Sequence, residues 1–248
     1  MKIWAHRGCS QNYPENTLTS FEKAMNIEGI SGIELDIQLT NDGELVVIHD
    51  EKVDRTTDGI GFVRDFSLSE LKTLHIRTGE ERAEHIPTMR EVLDLLKSRM
   101  FNGLKLNIEL KNSVYHYPGM EEKIVKLVAE YGLQEQIVYS SFYPNSLLKV
   151  HELEPAAKLG VLNGALSNCL FMALGIEDLL KLERGSIALH PSGNGLDIPA
   201  DMVSGRTVRV WFGGHLYPSK PTGGRMDFER FENAGVTDVF INEPEVYL

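Results

Sequence analysis

Four short stretches of this chain each carry a pair of chemically active side chains. His6 and Arg7 follow the apolar run KIWA; Glu34 and Asp36 sit inside GIELDI; His49 and Asp50 close ELVVIHD; Glu109 and Lys111 stand in NIELK. All four stretches read as β-strands, rich in β-branched and apolar residues. Side chains alternate faces along a strand, so Glu34 and Asp36 point the same way, as do Glu109 and Lys111. Leu35, Ile108 and Leu110 then face the opposite side. A single buried strand carboxylate is more often a satisfied structural group than a ligand. Several at neighbouring strand ends read differently.

Three converging carboxylates raise one another's pKa, and a divalent cation removes that conflict. An all-oxygen donor set from Glu34, Asp36 and Glu109 favours magnesium or calcium, with zinc less favoured for want of thiolates. His6 and His49 flank that position, and imidazole suits proton transfer near neutral pH. Arg7 and Lys111 supply donors for an oxyanion such as phosphate. A metal, two imidazoles and two cations together suit cleavage of a phosphodiester. Asp50 reads as a partner of this set or as a cap on the next turn. His75, His85, His116, His151, His190 and His215 have no such company and read as structural or solvated.

The positioning elements follow from periodicity. Strand patterns cover 2–6, 32–37, 45–49, 105–111, 137–141, 158–162, 186–190, 207–211 and 238–241, with helical patterns between most of them. Residues 16–28 place Leu18, Phe21 and Met25 on one face. Thr88 and Glu91 form a capping-box pattern opening a helix over 88–99, and Ser67 and Glu70 form another. Helices over 119–131 and 226–234 stop at Gly132 and Gly235. Repeated β-then-α units imply a parallel sheet with helices outside, and about eight of them in ~250 residues fit a (β/α)8 barrel with its active groups at the C-terminal strand ends. Nine strand patterns are one too many, and the surplus is expected among 158–162, 186–190 and 207–211. The link QLTNDGEL between the second and third strands is too short for a helix, so the barrel is expected to be distorted there. The whole chain, 1–248, reads as one barrel domain, with 51–104 a small insertion over the mouth after the third strand and without a core of its own. GGHLYPSKPTGGR, 213–225, is the clearest long loop, and His215, Lys220 and Arg225 in it could reach the site or be solvated.

Composition narrows the classes. The net charge is −11 with neutral histidines, which argues against a nucleic-acid binder and against a polybasic membrane anchor. No apolar run is long enough to span a bilayer, so stable membrane insertion is not expected. The start MKIWAHRG has no signal-peptide hydrophobic region, and the expected location is the cytoplasm. The two cysteines, Cys9 and Cys169, make no metal-site pattern. There is no G-x-S-x-G, no P-loop and no dinucleotide fingerprint. A homodimer is compatible with the sequence, but no feature marks an interface.

HRG at 6–8, PENT at 14–17, ELDIQLTNDGELVVIHD at 34–50, DRTTDG at 54–59, IPTMREVL at 86–93, NIELK at 107–111, YPG at 117–119 and SSF at 140–142 together resemble the glycerophosphodiester phosphodiesterase family. The resemblance runs through essentially the whole chain. It implies a distorted (β/α)8 TIM barrel shared with phosphatidylinositol-type phospholipases C. It also implies metal-dependent cleavage of a small-molecule glycerophosphodiester to sn-glycerol 3-phosphate and an alcohol. Carried over by residue, it implies His6 and His49 as the acid–base pair, Glu34, Asp36 and Glu109 as metal ligands, and Arg7 and Lys111 as phosphate contacts. Trp211 matches an aromatic that lines the glycerol side in the family, and Phe142 reads likewise. The sequence departs from the family at its end: VWFGGH stands for a WTVN-like strand and INEP for a TDxP-like turn. A lysophospholipase D or sphingomyelinase D-like enzyme acting on a lipid is the nearest alternative, and a binding protein that kept only the barrel is the next.

Overall fold

The computed structural model describes residues 1–77, 84–213 and 225–248. Eight parallel strands form the barrel wall: β1 (Lys2–His6), β2 (Gly32–Leu39), β4 (Lys105–Leu110), β5 (Ile137–Ser141), β6 (Lys158–Asn163), β7 (Ala188–Pro191), β8 (Arg209–Trp211) and β9 (Asp238–Ile241). They run in the order β7-β6-β5-β4-β2-β1-β9-β8. Between β7 and β8 the backbone pairing among the described residues is reduced to isolated parallel bridges, Leu189 with Val208 and Ser192 with Trp211. Outside the wall lie α1 (Leu18–Met25), α3 (Met89–Phe101), α4 (Met120–Tyr131), α5 (Pro144–Leu153), α6 (Leu166–Leu180) and α7 (Phe228–Asn233), with a one-turn α2 (Leu68–Leu71) before α3.

The surplus strand is not where the sequence placed it. The patterns at 158–162, 186–190 and 207–211 all became barrel strands. The strand outside the wall is β3 (Leu45–Val47), which pairs antiparallel with β2, Ile37 opposite Val47 and Leu39 opposite Leu45. The reason is chain length. A parallel partner needs a crossover of a dozen or more residues, and five residues separate Leu39 from Leu45. The chain therefore folds back as a hairpin, with Gly43 at φ 78° in its turn. Residues 51–104 also divide. α3 opens with the expected Thr88–Glu91 capping box and packs on α1 with the barrel helices. Val46, Ile48, Val53, Val63, Leu71, Ile76 and Ile86 instead make a small cluster distinct from the barrel core. Val46 and Ile48 precede the segment, so this cluster packs the insertion onto β3 and the residues after it.

Strand parity sets up two packing layers. Ile33, Leu35 and Ile37 of β2 and Leu106, Ile108 and Leu110 of β4 face the helices and belong to the main core. The barrel interior holds Trp4, Val138 and Phe240. Below them lies a charged plug: the Arg209 guanidinium lies 3.3 Å from Asp238 and 4.1 Å over the Trp4 ring, and donates to His190 Nε2 at 3.0 Å. Trp4 Nε1 donates to Asp238 at 2.8 Å. The strand ends above this plug are thus held on a rigid floor.

Removing one member of a buried ion pair costs more than removing a surface cap. Arg209→Met is expected to lower the unfolding free energy by about 3–5 kcal/mol, because it strands the Asp238 charge. Thr88→Ala is expected to cost about 1 kcal/mol through loss of the α3 cap. Urea titration of both variants against the parent measures the difference.

Candidate active site

The turn after β1 begins the site. Arg7 and Gly8 both take positive φ, 57° and 82°. A side chain on Gly8 would meet Ser20 Oγ at 2.4 Å, so only glycine fits there. The reversal lets the Arg7 N–H donate to the Glu34 carbonyl at 2.9 Å and to Glu34 Oε2 at 3.0 Å. The PENT segment then has a separate task for each polar residue. Glu15 accepts from Arg7 Nη1 at 2.9 Å. Asn16, itself at φ 56°, donates from Nδ2 to Asp36 Oδ2 at 2.9 Å. Thr17 caps α1.

Register brings the acidic groups together. β1 sets His6 beside Glu34, and β4 sets Glu109 beside Asp36. Glu34, Asp36 and Glu109 each offer an oxygen, all within 4.8 Å of one another, and all three residues are buried. Burial and the neighbouring Asp36 push the Glu34 carboxyl well above the usual carboxylate range. Burial pushes Glu109 up as well, against the pull of Lys111. Asp36 goes the other way: burial opposes its charge, but His49, Arg7 and Lys111 outweigh it. Lys111 Nζ lies 3.0 Å from Glu109 and 3.9 Å from Asp36. Asp36 Oδ1 is buried with no hydrogen-bond partner among the described residues. An all-oxygen cluster with two carboxyls held back from ionising, and a bare buried oxygen, fits a hard divalent cation. The cluster could bind a metal ion.

Both imidazoles reach the same place by different routes. His6, on β1, is buried, with Nδ1 on Asn242 Oδ1 at 2.7 Å and Nε2 3.8 Å from Glu34 Oε2. Burial and then Arg7 push its pKa down to about 3, so the ring is neutral. His49 comes from the residues after β3, not from a barrel strand. The expected four adjacent strand ends are therefore three, β1, β2 and β4, plus a hairpin. His49 Nδ1 meets Asp50 Oδ1 at 2.7 Å. Arg55 donates to Asp50 at 2.6 Å and to Glu15 at 2.6 and 2.8 Å, linking the His49 side to the Arg7 side.

One cavity of about 360 Å³ gathers these groups. His6, Arg7, Glu34, His49, Asp50, Arg55 and Glu109 line its polar part, and Phe142, Leu162, Trp211 and Phe240 its apolar part. The Phe142 and Trp211 rings stand edge to face with centroids 6.0 Å apart, and Trp211 Nε1 donates to the His190 carbonyl at 3.0 Å. Asp36 and Lys111 are not lining residues and join the cavity through Glu34 and Glu109. Arg7 and Lys111, expected as oxyanion donors, are both already engaged with carboxylates. Sequence patterns assigned no role to Glu15, Asn16, Arg55 or Asn242, nor to Asn107 and Ser140, which line the cavity and bond each other at 2.8 Å. For Asn107 and Ser140 strand parity was a usable signal, since Asn107 is two residues before Glu109. Of the 213–225 loop, His215 and Lys220 lie outside the described residues, and Arg225 packs over Tyr247 at 5.5 Å.

Comparison with known proteins places this geometry in context. The family model for the glycerophosphoryl diester phosphodiesterase family matches residues 6–165. A protein from Caldanaerobacter subterraneus subsp. tengcongensis named glycerophosphodiester phosphodiesterase is 42% identical over 250 residues, covering 99% of this chain and 96% of that one. A Bacillus subtilis protein of the same name is 34% identical, covering 98% and 84%. Among solved structures, an Oleispira antarctica phosphodiesterase in complex with the product sn-glycerol-3-phosphate aligns with a TM-score of 0.73 at 26% identity, covering 99% of this chain and 94% of that one. A glycerophosphodiester phosphodiesterase from Agrobacterium tumefaciens shares the fold, with a TM-score of 0.74 at 23% identity over 100% of this chain and 98% of that one.

Glu15 supplies a test of the cavity's outer network. Burial opposes its charge, but the bonds from Arg55 and Arg7 hold its carboxyl below the ordinary 4.5. A depressed carboxyl stabilises the fold above the unfolded pKa, and that stability is lost as pH falls through the folded value. The parent is therefore expected to lose stability more steeply than Glu15→Gln once pH drops below 4.5, with the two curves parallel above it. Urea melts over that range check the crossover.

Proposed function

The chain belongs to the glycerophosphoryl diester phosphodiesterase family, and from that premise we propose how its own residues cleave the substrate. It is a phosphodiesterase hydrolase, and glycerophosphodiester phosphodiesterase activity is the function the comparisons support. The observation that carries the finer reading is the convergence of two imidazoles with Glu34 and Glu109 in one cavity, Asp36 lying within 4.8 Å of both carboxylates. The relatives' names favour a glycerophosphodiester over a lipid substrate.

In this reading Glu34, Asp36 and Glu109 hold one divalent cation, magnesium or calcium. Such an ion supplies charge stabilisation at the phosphoryl oxygens when bound. His6 is neutral, and with Nδ1–H donating to Asn242 its Nε2 is the free acceptor, so it takes the proton from the attacking hydroxyl of water or of the glycerol moiety. His49, oriented by Asp50, donates from Nε2 to the departing alkoxide. Arg7, on the cavity wall, and Lys111, beside Glu109, balance the phosphate's negative charge. Phe142 and Trp211 pack the glycerol side and exclude water there. With water as the final nucleophile, the bond from phosphorus to the alcohol oxygen breaks, and sn-glycerol 3-phosphate and the alcohol leave.

The chain works as one catalytic barrel, to which the segment after β3 contributes Asp50 and Arg55. No described helix is long and apolar enough to cross a membrane. A cytoplasmic setting is part of this reading, supported by two buried, unbridged cysteines.

Release of sn-glycerol 3-phosphate from glycerophosphocholine and glycerophosphoethanolamine is expected to stop with EDTA and return with magnesium or calcium. His6→Ala and His49→Ala are each expected to lower kcat by about 100-fold or more, the usual range for a lost proton-transfer group. Release that ignores EDTA, or alanine variants as fast as the parent, overturns the reading. Metal binding has its own readout: Tm is expected to rise with added calcium or magnesium in the parent and to rise less in Asp36→Asn.

A further inference from the structure

His49 lacks the support that its neighbours have. His6, Glu34, Asp36 and Glu109 stand on barrel strands, whereas His49 follows β3, which lies outside the wall. Gln38 supplies what the strand does not. It is fully buried on β2, two residues beyond Asp36. Its Nε2 lies 3.1 Å from the Ile48 carbonyl, 3.1 Å from that of His49 and 2.7 Å from that of Asp50. Three consecutive carbonyls thus converge on one amide nitrogen. Its Oε1 accepts from Tyr117 Oη at 2.8 Å. Tyr117 is anchored in turn: its N–H donates to Asn112 Oδ1 at 2.8 Å, and Asn112 Nδ2 donates to Glu121 of α4 at 2.8 Å and contacts Ser146 of α5 at 3.2 Å.

We propose that Gln38 and Tyr117 are positioning residues that fix His49 through its own backbone. The chemistry requires an amide at 38. Its NH2 donates to the buried Ile48 carbonyl and the half-buried carbonyls of His49 and Asp50, and its oxygen accepts the tyrosine hydrogen bond. A glutamate there would turn a carboxylate toward three carbonyls, and an apolar side chain would leave them bare. Neither Gln38 nor Tyr117 lines the cavity, so neither touches substrate. The clamp ties the turn that carries His49 to the loop after β4 and through it to α4 and α5. This inference rests on the reading that His49 acts in the reaction.

The test is a double-variant cycle on metal-supplied enzyme with glycerophosphocholine. Gln38→Met is expected to lower kcat by about 10- to 100-fold with KM unchanged, the scale on which a small misplacement of a reacting group acts. Tyr117→Phe is expected to give a smaller loss of the same kind. In a His49→Ala background, Gln38→Met is expected to make no further difference, because the group it positions is gone. Losses that multiply in the double variant, or a raised KM with kcat intact, overturn the clamp. If Gln38→Met does not fold by circular dichroism, Tyr117→Phe and its double with His49→Ala carry the same comparison. A His49→Ala enzyme as fast as the parent defeats the reading of the site and the clamp with it. A slow His49→Ala enzyme with multiplying losses defeats the clamp alone.

Discussion

Charge crowding at the ends of β2 and β4 is the constraint around which the site is built. Three carboxylates within 4.8 Å cannot all ionise in a buried place without opposing charge. The surroundings answer this unevenly. His49, Arg7, Lys111 and Asn16 together outweigh burial and hold the Asp36 carboxyl low, while burial holds Glu34 and Glu109 high. The left-handed turn at Arg7 is part of the same arrangement, since it aims a backbone N–H at Glu34. A non-glycine residue in that conformation is costly, and here the hydrogen bonds from Asn16 and Ser20 to the Arg7 carbonyl hold it in place.

Much of this could be read from the chain because strand alternation is a short-range property. It placed Glu34 with Asp36, and Glu109 with Lys111, and sent Leu35, Ile108 and Leu110 to the helices. The capping boxes at Thr88 and Ser67 are equally local, and both formed. The direction of β3 was harder, because a hairpin arm and a barrel strand share the same period of two; only the length of QLTNDGEL distinguishes them. Asn242 was out of reach for a different reason. Its tie to His6 spans 236 residues, and a lone polar residue near the C-terminus carries no mark of that partner. Glu15 and Arg55 sat in quoted motifs, yet their meeting needs the segment after β3 to fold back over the mouth.

The cavity has two unlike walls. Ionic and imidazole groups at the ends of β1, β2, β4 and the hairpin line one part, and Phe142 after β5 with Leu162, Trp211 and Phe240 of β6, β8 and β9 line the other. The division follows the ring order, since β5 and β6 lie on one side of the acidic strands and β9 and β8 on the other. The plug of Arg209, Asp238, His190 and Trp4 lies beneath both walls and pairs the buried Arg209 and Asp238 charges. His190 links the two levels, accepting from Arg209 with its ring and from Trp211 with its carbonyl.

The closure between β7 and β8 has a dynamic consequence. Elsewhere neighbouring wall strands share continuous ladders, but this seam rests on isolated bridges. A stretch with fewer backbone bonds opens at lower local free energy. Trp211 belongs to one of those bridges and also lines the apolar wall. Opening of the seam would change the width of the cavity on that side and leave the acidic strands, remote from it around the ring, in their continuous ladders. The Arg209–His190 and Trp211–His190 bonds cross the same seam, so side chains rather than a backbone ladder set how easily it opens.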